Sequence, residues 1–423
     1  MKRLRLPRNF TLNGLIIFVA LFCVSTFAFF EHMSICVPKF SELKLPLMYV
    51  GFVCIVTQIR TIMRVVLKKN KFYMLLALAM FCVVLIISMF FNRDTAIGVS
   101  PLRDTIRLLL YLVEVFMLMI VIAETGRGQA VLRFLFWYLF LIMLVNDLLM
   151  FTGLITFKDG NHEGYLVGTK FSVSYLHMNL LTMWVLSRRG RKDKKRVPVW
   201  IAAIAAVLVA MVAIRINCMT GVLGSIVLVV LFAMMEGENR HKLIKLTSPW
   251  MLLLVLVLSV VLAFLADTIT QIPLVRYLVE DVLKRDTSIT GRTNIYEMYV
   301  ANLTGRWMWG YGYGNGNDVA VSLFGYQNVQ NGFLHWVLQV GIAASVCMAA
   351  LMLVVFRQAN RCKPERRDRL MPLVALVYMY IILGTIETTF NMAFIMWFAL
   401  IFMLANERAK YPVEQKREMR PRT

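Results

Sequence analysis

The apolar residues of this chain come in long blocks, and block length limits what it can fold into. Twelve runs of roughly 16 to 24 residues stand between polar links. About 20 apolar residues span a bilayer as a helix. Backbone N–H and C=O groups in hydrocarbon must pair within their own segment, so such blocks predict helices and not open strands. The expected spans are Leu12–Phe30, Leu45–Leu67, Phe72–Phe91, Ile106–Ala123, Phe134–Ile155, Phe171–Ser187, Val197–Ile216, Met219–Met235, Pro249–Ala266, Gly332–Phe356, Met371–Ile386 and Thr389–Ala405. The chain is 59% hydrophobic, above the level of soluble domains. The expected fold class is all-α: one polytopic integral membrane domain over 1–423 with about twelve transmembrane helices.

A net charge of +22 raises the question of nucleic acid, and its distribution argues against it. With both termini in the cytoplasm and the loops alternating, 33 of the 46 Lys and Arg residues fall on the cytoplasmic side. That bias is the positive-inside rule, and it sets the expected orientation. The runs Arg188–Lys192 and Arg361–Arg369 then read as topology anchors beside anionic headgroups. The first apolar run is too long for a signal-peptide core and no Ala-x-Ala-like site follows, so it reads as an uncleaved span. Seven cysteines show neither a disulfide framework nor metal-ligand spacing.

Two external segments are expected, Thr156–Lys170 and the longer loop 267–331 ahead of the last three spans. Within the long loop, Leu274, Leu278, Val279 and Val282 space an amphipathic helix over Ile272–Arg285. Thr290 or Thr293 is a candidate cap for a second helix running to Leu303, with Arg292, Tyr296 and Tyr299 on one face. Gly310, Gly312, Gly314 and Gly316 then alternate with Tyr311, Tyr313 and Asn315. No βαβ unit surrounds them, which rules against a dinucleotide fold. Two readings stay open: backbone amides brought close to an anion or a sugar, or a tight turn packed under the loop.

Outer arginines are scarce. Arg215 and Arg292 are candidate diphosphate clamps, because guanidinium binds phosphate by bidentate hydrogen bonds. The alternative is pairing with Glu297 or Glu387. Glu387, in a short external turn, is a candidate counter-ion or general base. Glu114, Asp147 and His177 fall within spans as proton-relay or interhelical polar residues. His335 reads as a packing or interhelical hydrogen-bond residue.

The arrangement resembles the bacterial O-antigen polymerase and ligase superfamily. The matching residues are Thr290-Gly291-Arg292 with Ile295-Tyr296, then Trp309-Gly310-Tyr311-Gly312-Tyr313-Gly314-Asn315, and Gln330-Asn331-Gly332-Phe333-Leu334 with Gly341-Ile342. Thr220-Gly221 after Arg215 is similar to a small-residue patch of another family helix. The specific match covers about sixty residues; the remainder agrees in topology only. The resemblance implies a Wzy-type polysaccharide polymerase in a bacterial cytoplasmic (inner) membrane. It would need no cofactor or metal and would act on polyprenyl-diphosphate-linked oligosaccharide. Implied partners are a flippase and a chain-length regulator, with no nucleic acid. Arg215, Arg292 and Glu387 take the expected catalytic roles; Tyr296, Tyr311, Tyr313, Asn315, Gln330 and Asn331 shape the sugar site. The family's loop histidine falls at Gln330, which can position a hydroxyl but not take its proton, so the base is unassigned. The rival readings are ligase-like transfer to a lipid or wall acceptor, and a flippase for lipid-linked sugars.

Overall fold

In the computed structural model the described residues are 11–30, 33, 40–66, 68–94, 97, 101–153, 157–159, 162–188, 198–235, 244–265, 268, 271–273, 277 and 292–408. Among them are fifteen α-helices: α1 Leu12–Phe29, α2 Phe40–Val56, α3 Ile59–Val66, α4 Lys69–Phe91, α5 Pro101–Thr125, α6 Gly128–Thr152, α7 Lys170–Arg188, α8 Val199–Arg215, α9 Met219–Met234, α10 Pro249–Phe264, α11 Arg292–Asn302, α12 Gly316–Phe324, α13 Gly332–Arg361, α14 Pro364–Leu383 and α15 Met392–Asn406. A small antiparallel sheet, β1 Phe157–Asp159, β2 His162–Tyr165 and β3 Gly168–Thr169, precedes α7. The amphipathic helix expected over Ile272–Arg285 and the Thr290 cap lie largely or wholly outside the described residues.

Each of the twelve apolar blocks coincides with helix, two of them interrupted: α2 and α3 meet at a 63° bend, and α13 is broken at Gly341. Among the described residues, five helices are long and apolar enough to cross a membrane, or six if the bent pair counts as one. Four more, within α8, α9, α10 and α15, are apolar but shorter. The outer surface of the bundle is apolar too. On α6, Trp137, Leu141, Leu144 and Leu148 are about half exposed and repeat at helical spacing, as a lipid-facing stripe requires.

The centre of the bundle is formed by α14 from Leu370 onward and by α15, which are buried along almost the whole of those stretches. Trp397, Tyr380 and Phe394 are among their fully buried side chains, and Tyr111 of α5 joins them by donating to the Met392 carbonyl (2.8 Å). Glu114 is buried where α5 meets α2, beside Gly51. Asp147 and His177 pair across α6 and α7 (3.0 Å), and the other ring nitrogen lies 2.9 Å from the Val173 carbonyl. The described ends of the chain lie at one end of the bundle: Arg127 donates to Thr11, and the Gly128 amide to Glu407.

Candidate functional site

The helix α13 is broken in its first half. Gly341 has φ 75° and ψ 177°, far from helical values, so residues 332–340 and 342–361 form two helical pieces. A break leaves carbonyls above it and amides below it without partners. The glycine-rich segment supplies them. The Tyr311 and Gly312 amides donate to the Leu338 and Gln339 carbonyls (2.9 and 2.8 Å), and the Ile342 amide donates to Trp307 (2.8 Å). Close approach of the two backbones explains the glycines. A Cβ on Gly310 would stand 2.6 Å from the Gln339 carbonyl oxygen, and one on Gly341 would overlap the Met308 carbonyl. Of the two readings open for this run, the packed turn describes these amides, which are spent on protein carbonyls. The Gly314 amide is spent too, on Gln339 Oε1 (3.0 Å).

What the docked segment does is shape one side of a cavity of about 1170 Å³. The cavity opens at the end of the bundle opposite the described chain ends. α2 brings Lys44; α5 brings Asp104 and Arg107; α7 brings Lys170, Tyr175 and Asn179. The glycine segment contributes Tyr313, and α13 contributes His335, Trp336 and Gln339. The turn between α14 and α15 contributes Glu387 and Thr388. Three cations, two carboxylates and several aromatic faces therefore surround one space.

Two groupings stand out on its walls. On one, Arg107 Nη1 donates to Asp104 (3.0 Å) while its Nε is buried with no hydrogen-bond partner among the described residues. A Cβ on Gly314 would stand 2.6 Å from Asp104 Oδ2, so the glycine segment reaches this pair. Tyr313 packs against Trp336 with ring centroids 5.7 Å apart. On the other, Thr220 donates to Glu387 Oε1 (3.4 Å). Burial holds the nearby Cys218 thiol above its ordinary range; Glu387 raises it further and Lys170 opposes this, which places both charges close to it.

The residues expected from sequence divide sharply. Glu387 and Tyr313 line the cavity. Arg215 is exposed at the end of α8 and does not line it. Arg292 opens α11, but its side chain lies outside the described ones, and with it the expected meeting of the two arginines. Tyr311 and Tyr296 are buried beneath the surface instead. Tyr311 donates to the Asn302 carbonyl (2.8 Å) and carries Arg306 over its ring; Tyr296 donates to the Gln330 carbonyl (3.3 Å). Asn331 caps α13, accepting from the Leu334 amide (2.9 Å) and donating to Ser259. Asn315 is 1% exposed, and Gln330 takes a left-handed turn with φ 59°; neither lines the cavity. Both side-chain polar atoms of Asn315 are buried without a hydrogen-bond partner among the described residues, while Tyr311, Tyr296 and Asn331 hold the loop in place. Tyr299 does the same, donating to the Leu334 carbonyl (2.6 Å) from a site whose burial pushes its hydroxyl well above its usual range.

Sequence reasoning passed over Lys44, Arg107 and Lys170, which were counted among the outer cations but not singled out. The available signal was a cation within or just before the first two turns of an apolar block. His335, expected as a packing or interhelical hydrogen-bond residue, packs against Gly316 and also lines the cavity, with Nδ1 buried and without a hydrogen-bond partner among the described residues. Comparison with known proteins gives no matching family model and no matching curated relative.

Proposed function

We propose that this protein is a polysaccharide polymerase of the Wzy type, moving a growing glycan from polyprenyl diphosphate to the sugar of another lipid-linked repeat unit. The observation that carries the reading is the mixed cavity: Lys44, Arg107 and Lys170 beside Asp104, Glu387, Tyr313 and Trp336 at one end of an apolar helical bundle. Cations suit a diphosphate, and flat aromatic faces with planar polar groups suit a pyranose. An apolar bundle suits the polyprenyl tail. In the proposed topology twelve spans cross a bacterial cytoplasmic membrane, both termini are cytoplasmic, and the cavity opens outward.

The step is a displacement at the anomeric carbon of the donor. A hydroxyl oxygen of the acceptor sugar forms the new C–O bond as the bond from that carbon to the diphosphate oxygen breaks. The electron pair leaves with polyprenyl diphosphate, whose developing charge the cavity's cations stabilise. The hydroxyl proton passes to the Glu387 carboxylate.

The test is reconstitution in liposomes with polyprenyl-diphosphate-linked repeat units, followed by sizing of lipid-linked products. Dimers and longer chains, with release of polyprenyl diphosphate, are expected. Transfer only onto a different acceptor would make it a ligase. Movement of the lipid across the bilayer with no new glycosidic bond would make it a flippase.

A further inference from the structure

Resting on that reading, we infer that the donor's diphosphate sits between α2 and α5, held by Lys44 and Arg107, with its first sugar on Tyr313. The argument begins deeper in the bundle, where α2 meets α5 at Gly51 and Glu114: a Cβ on Gly51 would stand 3.2 Å from Glu114 Oε2. Both helices enter the bundle from the cavity end, so they run parallel. Lys44 and Arg107 each stand two helical turns, seven residues, ahead of that contact. Seven residues fall about 20° short of two full turns, so Arg107 lies on the face of α5 that touches α2; on α2, where Pro46 stands between Lys44 and Gly51, it is the cavity lining that places Lys44 on the same space. The two cations share a height, about 10 Å above the contact. Both line the cavity.

Arg107 is prepared for an anion. Asp104 holds its Nη1 and fixes the plane of the fork. The buried Nε has no acceptor among the described residues, and a phosphate oxygen would supply one. Asp104 touches the backbone at Gly314, next to Tyr313. A sugar bonded directly to the diphosphate therefore meets Tyr313, which the buried Trp336 backs. The grouping of Lys170, Thr220 and Glu387 is left to the incoming acceptor hydroxyl.

The experiment is calorimetric titration of the full-length protein in nanodiscs with farnesyl diphosphate, using farnesol as the control for the tail alone. Lys44→Gln and Arg107→Gln should each weaken farnesyl diphosphate binding by at least about tenfold, and Lys170→Gln by less than about threefold. Arg107→Lys, which keeps the charge, should recover part of the loss and guards against a folding defect in Arg107→Gln. If Lys170→Gln weakens binding as much as Lys44→Gln, or if Lys44→Gln has no effect, the assignment to the α2–α5 wall is wrong while the polymerase reading stands. If the wild-type protein binds farnesyl diphosphate no better than farnesol, the reading itself fails and takes this assignment with it.

Discussion

At the end of the bundle away from the cavity, Glu124 meets Lys68 (3.3 Å), Lys71 and Arg408 (3.7 Å), and Arg369 meets Glu407 (2.7 Å). Glu407 also takes the Gly128 amide, and Arg369 donates to Gln129. Charges there close on one another and tie α4, α5, α6 and α14 to the segment after α15. At the cavity end, charges from elements far apart in sequence line a shared space, and donors such as Arg107 Nε and the Asn179 amide nitrogen lack hydrogen-bond partners among the described residues. Buried polar groups are costly when unmet. One end therefore uses paired charges to hold helices together, with only Arg367 Nε and Arg369 Nε unmet there among the described residues, while the other gathers its charges around a space that a bound ligand would fill.

That contrast can be broken at several points. The largest effect belongs to the scaffold of the cavity. Gly341→Ala forces a left-handed residue into the Met308 carbonyl and should cost more than about 3 kcal/mol; fluorescence-detected size exclusion should find little folded protein. Arg107→Ala should lower polymer formation by at least about 100-fold, as loss of a transition-state donor does, with the elution profile unchanged. Glu124→Gln, at the opposite end, should lower thermal stability by about 2 kcal/mol and leave polymer formation intact below the melting range. If activity fell instead, the division of labour between the two ends would be wrong. Asp147→Asn weakens the contact with His177 and should cost about 1 kcal/mol, read as a small shift in the melting curve. Arg215→Ala should change polymer formation by no more than about twofold, a surface-level effect; a severe loss would restore the clamp expected from sequence.

Helix positions were legible because a membrane-length apolar run is a local property. The start of α1 at Leu12 and of α9 at Met219 can be read directly from the blocks. The bend between α2 and α3 was passed over, although Thr57-Gln58 and the arginines Arg60 and Arg64 interrupt the apolar run there. The site was less legible, because it is made by convergence. Lys44, Arg107, Lys170 and Glu387 come from four stretches of chain, and nothing local says that they face one volume. The glycine run could be recognised as special, but its partner, the interrupted helix at Gly341, lies about thirty residues further on. With that partner hidden, spent amides look the same as available ones. Arg215 falls outside the cavity for a related reason: scarcity of outer arginines is a property of composition, while lining a cavity depends on the direction a side chain takes from its helix.

The break at Gly341 has one more consequence. The segment from Trp307 to Gly312 replaces the missing rungs of a helical ladder, so the two stretches are in register residue for residue. Removing or inserting a single residue in either would slide every replacement rung by one and turn Tyr313 away from Trp336. Substitution can tune this neighbourhood; a change of length in one stretch must be matched in the other.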